Sequence, residues 1–232
     1  MALNPIELVG YGIVIFVLVE VIVLTIKLFN DYKKTKSIMV LNFTLVFLSL
    51  ISSIVLLILE KITLSIIVNY ELSTIFAWLA RIGVSMAFIF IAIISFDLTY
   101  PEKKKTLIIP IIIFFVIFLI YNYFVIFSGY PYTYIQEAEF VHDPIVLITL
   151  YVMLIPVSNI STVVFFYFSI VNRENPTASR RSFWMGFSIL LFIIAYLFEI
   201  APIAVIISVP MRALYIVSAS ILYYTFTKTP KD

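Results

Sequence analysis

Residues Leu72–Leu98 read LSTIFAWLARIGVSMAFIFIAIISFDL. From Leu72 to Phe96 the one charged side chain is Arg81. A helix that crosses a membrane needs roughly 20 apolar residues to span a hydrocarbon core about 30 Å thick, and this run exceeds that. Its polar residues are not scattered. Thr74, Trp78, Arg81 and Ser85 recur at i, i+4, i+7 and i+11, which puts them on one face of a helix. A polar and aromatic face on a rod in lipid is expected to point into a bundle.

Working outward, six further apolar runs flank this one: Ile6–Leu28, Ile38–Leu59, Leu107–Phe127, Pro144–Val171, Phe183–Ile206 and Ser208–Phe226. The expected fold class is therefore an all-α membrane protein, a single seven-transmembrane helix bundle over residues 1–232. Spans six and seven are separated by a tight turn near Pro202–Pro210, where Pro202 either kinks the sixth helix or ends it.

The composition agrees. Hydrophobic residues make up 63% of the chain, charged residues 12%, and the mean hydropathy is +1.16. A soluble domain carries about 25% charge. So much apolar surface does not fit inside one core of this size, so the expected partner is the lipid bilayer. A net charge of +2 argues against nucleic-acid binding. With no cysteine, disulfides, thiol catalysis and iron–sulfur clusters are excluded. A single histidine, His142, cannot build a metal or haem site alone, so neither metal nor other cofactor is expected. Asn42-Phe-Thr and Asn159-Ile-Ser match the glycosylation pattern but fall inside apolar spans. The N-terminus lacks a basic leader and a small-residue cleavage site, so the first span is expected to be retained.

Basic residues set an expected orientation, because cytoplasmic loops collect Lys and Arg. Lys27, Lys33, Lys34 and Lys36 follow span one. Lys103, Lys104 and Lys105 follow span three, Arg173, Arg180 and Arg181 follow span five, and Lys228 and Lys231 lie in the tail. Seven crossings put all of these on one side, with Glu71, Glu137, Glu139 and Asp143 on the other. The N-terminus is thus expected outside and the C-terminus in the cytoplasm, in a multi-pass protein of the cell membrane. The longest outer segment, Tyr121–Asp143, holds Tyr121, Tyr123, Tyr130, Tyr132 and Tyr134. They read either as an interfacial aromatic belt or as a lid over an outward pocket with Glu137, Glu139 and His142.

Ionisable groups in lipid cost roughly 2.5–3.5 kcal/mol each at a helix centre, so each needs a reason. Glu20, Arg81, Glu199 and Arg212 stand out. Glu199 is expected to meet Arg81, Arg212 or both, at a comparable height in the outer half of the bundle. Two readings follow: an ion pair that fixes helix register, or an outward-facing ligand pocket lined by Trp78, Arg81, Tyr196, Glu199, Arg212 and Tyr215. Glu20 has no basic partner at its depth and is expected to be protonated or bonded to a neutral group such as those of span two, where Asn42, Ser49 and Ser53 form a stripe. Such small polar residues usually pack helices. The same holds for Ser158, Asn159, Ser161 and Thr162 around Pro156, which read as a kink with satisfied carbonyls. Asp97 is expected to pair with a nearby lysine.

Several seven-helix families fail on their residues. The last span has no lysine for a retinal Schiff base, and the one glutamine, Gln136, follows Ile135 rather than a proline. No serine–histidine pair, zinc cluster or paired aspartates lie in the spans, so no enzyme is expected. The run Trp78-Leu-Ala-Arg81-Ile-Gly-Val, followed by a long apolar stretch and Phe96-Asp-Leu-Thr-Tyr100, resembles the third helix of the seven-helix membrane sensor region at the N-terminus of some microbial histidine kinases. The basic first cytoplasmic turn and the topology are similar too. The resemblance implies a sensor-like module. No kinase or other output domain follows in this sequence, so such a module would signal through a cytoplasmic or membrane partner. A small transporter or channel subunit using Glu20, Arg81, Asn159 and Glu199 as a path, and a passive scaffold subunit, are the alternatives.

Overall fold

The computed structural model describes the backbone of residues 5–128, 133–136, 139–200 and 205–227. It is helical apart from one hairpin. The helices are α1 (Pro5–Thr35), α2 (Ile38–Ile62), α3 (Tyr70–Thr99), α4 (Lys104–Phe127), α5 (Pro144–Val171), α6 (Pro176–Ile200) and α7 (Val205–Thr227). Among the described residues six of these, α1 to α6, are long and apolar enough to cross a membrane.

Local chemistry explains the helix ends. α1 stops at Lys36, whose φ of 54° breaks the helical run, and the Ser37 N–H then donates to Thr35 Oγ1. α2 loosens into a π-helical turn, Thr63–Ile67, which closes at Val68 with φ 56°. α3 is capped by Asn69, whose side chain accepts from the Leu72 N–H at 3.0 Å, satisfying one of the orphan donors of a first turn. Asp143 does the same for α5 with the Ile145 N–H, ahead of Pro144. Asn175 caps α6 through the Ala178 N–H.

The boundary between the last two helices is corrected. α6 ends at Ile200, not Ile206, and α7 begins at Val205. The residue before a proline is disfavoured in the α conformation, so Pro202 in the sequence favours a helix end close to Ile200, and the apolar run from Val205 belongs to α7. A second correction is the antiparallel hairpin β1 (Thr133–Gln136) and β2 (Glu139–His142), which pairs Thr133 with His142 and Gln136 with Glu139. Aromatic and β-branched residues in these short runs favour strand. The side chains of Tyr130, Tyr132, Tyr134, Glu137, Glu139 and His142, read as belt or lid, lie outside the described residues.

Consecutive helices pack against each other around a ring that α1 and α7 close, and α3 also touches α5. α3 is thus the shared inner rod. The core runs along it through Val84, Phe88 and Ile94, joined by Phe47, Phe115, Phe165 and Ile193. α4 shows what surrounds the bundle. Its inner face is Ile108, Ile111, Phe115, Phe118, Asn122 and Val125, while Ile112, Ile113, Val116, Ile117, Ile120 and Phe124 stand exposed on the other side. An outer surface this apolar needs lipid against it.

Candidate functional site

The site is built from the two faces of α3. One face is small: Ser73, Ala77, Ala80, Val84 and Ala87 are buried at helical spacing. It lets α2 approach closely. A Cβ on Gly83 would stand 2.9 Å from Ser53 Cβ and 3.0 Å from Ser49 O. Ser53 Oγ donates to Ala80 O at 2.8 Å and Ser73 Oγ to Glu60 O at 3.1 Å. Part of the polar stripe of span two, Ser53 above all, therefore serves as helix-packing contact, and Asn42 is buried on the same helix.

The other face carries Trp78 and Arg81 to α4. Trp78 Nε1 donates to Leu119 O at 3.2 Å, and its ring meets Tyr123 edge-on at 5.6 Å. An Arg81 guanidinium N–H donates to Asn122 Oδ1 at 2.6 Å. Asn122 in turn donates from Nδ2 to Phe118 O at 3.0 Å, which holds its carbonyl oxygen toward Arg81. Asn122 is 1% exposed and Glu60 6%. Glu60 and Tyr196 both lie close enough to Arg81 to act on it electrostatically.

Of the residues singled out from sequence, Trp78, Arg81 and Tyr196 thus share one neighbourhood near the Glu60 end of the bundle. Tyr215 sits beside it through Phe192, with ring centroids 5.2 Å apart. Arg212 is part-buried and stands seven residues after Val205, about 10 Å into α7. The boundary at Ile200 puts Glu199 in the last turn of α6. Its side chain, and so its pairing with an arginine, lies outside the described residues.

Two residues of the cluster were missed in the sequence. Glu60 sits beside Lys61 at the end of an apolar run and reads as a boundary pair. Asn122 lies between two tyrosines and reads as part of a headgroup belt. The signal for Asn122 was its spacing. It falls at i+4 from Phe118 and i+7 from Phe115, on the buried face of α4.

Elsewhere several polar residues find partners outside the cluster. The partner of Glu20 is corrected from span two to α7, because Ser220 Oγ donates to Glu20 Oε1 at 3.0 Å. Asn159 donates to Ile155 O on its own helix, beside Ser158, whose hydroxyl donates to Leu154 O. Both bonds stay within α5, and the Thr162 hydroxyl of the same group is buried with no hydrogen-bond partner. At the far end of α3, Lys104 pairs with Asp97.

Beneath the cluster the interior turns apolar. Phe115 stacks on Phe88 at 6.1 Å, Phe88 meets Phe192 edge-on at 6.1 Å, and Phe192 meets Tyr215. This aromatic layer runs from α4 through α3 and α6 to α7. Against it lies a cavity of about 30 Å³, lined by Val46, Leu50, Ala87, Phe88, Phe192 and Leu222 among others. That volume holds about one water, and the lining offers it little to bond.

Among the described residues no group of three His, Asp or Glu side chains could hold a metal. The described residues thus set a guanidinium against an amide oxygen, with a carboxylate and a phenol nearby. No protein-family model matches the chain, and no curated protein matches it.

Proposed function

We propose that the chain is a receptor-like seven-helix module of the cell membrane, with its N-terminus outside and its C-terminus in the cytoplasm. It binds a small molecule or lipid from the outer side at Trp78, Arg81, Tyr196 and Asn122, with Glu199, Arg212 and Tyr215 around them. A shift of the helices then reaches a signalling partner at the cytoplasmic loops. On this reading the module is not an enzyme and carries no cofactor. The orientation rests on the basic residues, which collect at the Asp97 end of the bundle.

The observation that carries the reading is the polar cluster around Arg81, held on the shared inner helix and underlain by the Phe115–Phe88–Phe192 layer. A costly intramembrane cation is by default a functional group. A polar group above an apolar floor suits binding from one side. A translocation path is less well supported, because Asn159 spends its amide on its own helix and the aromatic layer separates Arg81 from Asp97.

The test is a thermal-shift screen of small polar molecules and lipids on the detergent-purified protein. A stabilising compound is expected whose effect disappears in Arg81→Gln and persists in Asn159→Ala. If no compound stabilises the wild type, or if the shift survives Arg81→Gln, the chain is a scaffold or binds elsewhere.

A further inference from the structure

Glu20 is absorbed by none of this. It stands on the side of α1 that packs against α7, within a run of apolar residues, seven residues before Lys27 and so about 10 Å from it along the helix. Its Oε1 accepts from Ser220 Oγ at 3.0 Å. Its Oε2 is buried and has no hydrogen-bond partner. On α7 its partner is the uncharged Ser220, and the charges of α2, Glu60 and Lys61, stand together in that helix's last turn. On α1 itself the nearest cation, Lys27, is turned over the Tyr223 ring, 5.0 Å from its centroid.

The two oxygens therefore have different surroundings. A carboxylate spreads its charge over both and demands donors at each. One oxygen here has a donor and the other is sealed off from donors and from water, which is costly for an ion. A neutral acid fits at much lower cost: a carbonyl oxygen that accepts from serine, and a hydroxyl whose unpaired burial costs far less than that of a charge. We infer that Glu20 is a proton-binding site in the α1–α7 seam, filled in the resting protein, with the carbonyl at Oε1 and the proton on Oε2.

The seam closes the ring of helices, and the Ser220–Glu20 bond joins α7 to α1 across it. Ser220 is exposed at the outer surface of the bundle and Glu20 is part-exposed beside it. The site therefore opens toward lipid, and this inference depends on the bilayer setting but not on the ligand reading.

A membrane-soluble carbodiimide tests it on the wild-type protein in liposomes at neutral pH. The acid proton passes to a carbodiimide nitrogen as the carboxyl oxygen bonds to the central carbon. An oxygen-to-nitrogen acyl shift then leaves a stable N-acylurea, an addition with no other reactant. Dicyclohexylcarbodiimide is expected to add to the peptide holding Glu20, and a water-soluble carbodiimide with a glycine ester is expected to leave it unmodified. Labelling by the water-soluble reagent, or by neither, overturns the inference. A second measurement needs no reagent. Glu20→Gln replaces the neutral acid by its nearest uncharged analogue and is expected to keep the melting temperature, whereas a clear drop would mean that a charge had been removed, and would overturn it as well.

Discussion

Asn122→Leu is the sharpest probe of the cluster. The substitution keeps the branched shape and heavy-atom count of the side chain and removes the oxygen that accepts from Arg81 at 2.6 Å. Hydrogen bonds between helices in a membrane average about 0.6 kcal/mol and reach about 1.7. This one is charge-assisted, and such bonds run to about 1.5–3 kcal/mol in water-soluble proteins. The residue is 1% exposed, so no solvent replaces the lost oxygen. A loss of about 1.5–2 kcal/mol is expected. At 2–4 °C per kcal/mol for a chain of this size, the melting temperature in detergent falls by about 3–8 °C. Asn159→Leu is the control, since that amide bonds only within its own helix, to Ile155 O, and its loss is expected to cost under about 0.5 kcal/mol. The cycle with Arg81→Met separates the bond from its surroundings: in the Arg81→Met background, Asn122→Leu should cost markedly less. Equal losses in Asn122→Leu and Asn159→Leu, or additive losses in the cycle, would refute the reasoning.

Other substitutions test the frame. Gly83→Val drives a side chain into Ser53 and the Ser49 carbonyl, and overpacking of this kind costs about 1–3 kcal/mol, to be read as a lowered melting temperature. Asp97→Asn removes the partner of Lys104. Both side chains are about a quarter exposed, so the change is expected to stay within about 1 kcal/mol and to shrink further in high salt. The chain has no cysteine, so single replacements report topology cleanly. On the proposed orientation Lys105→Cys reacts with an impermeant maleimide only after cells are opened, and Ser128→Cys reacts on intact cells; the reverse pattern inverts the orientation.

How far the sequence carried depended on the range of the physics involved. Helix positions follow from local apolar content and from caps, and Pro144–Val171 matches α5 at both ends. The end of α6 and the start of α7 were less legible, because hydropathy alone does not divide a continuous apolar run whose residues are all lipid-compatible. The polar face Thr74–Trp78–Arg81–Ser85 was legible from spacing, yet Thr74 bonds back to Tyr70 O on its own helix while Trp78 and Arg81 reach α4. Which polar group a long side chain finds depends on the rotation of the neighbouring helix, and no local pattern encodes that. This is why the neutral Asn122, an acceptor for Arg81 at 2.6 Å, was not legible from the sequence of α3 alone.

The same packing suggests how a signal would travel on the proposed reading. α3 is clamped to α2 along its small face by Gly83, Ser53 and Ser73. α6 and α7 are clamped to each other, since Ser188 Oγ donates to Ser218 O and Ser218 Oγ to Ser188 O, at 2.8 and 2.9 Å. Each pair should therefore move as a unit, because sliding either would break bonds that lipid cannot replace. Between the pairs, below Arg81 and Tyr196, Phe88 meets Phe192, with the cavity of about 30 Å³ beside them. Apolar surfaces slide at little cost compared with broken hydrogen bonds. A ligand that pulls Arg81 toward Tyr196 would shift the α2–α3 unit against the α6–α7 unit. Asp97 lies sixteen residues further along α3, about 24 Å away, and its pair with Lys104 would move with it. Filling the cavity with Ala87→Val should then stiffen that sliding surface and weaken coupling between the two ends while leaving ligand affinity at Arg81 nearly unchanged.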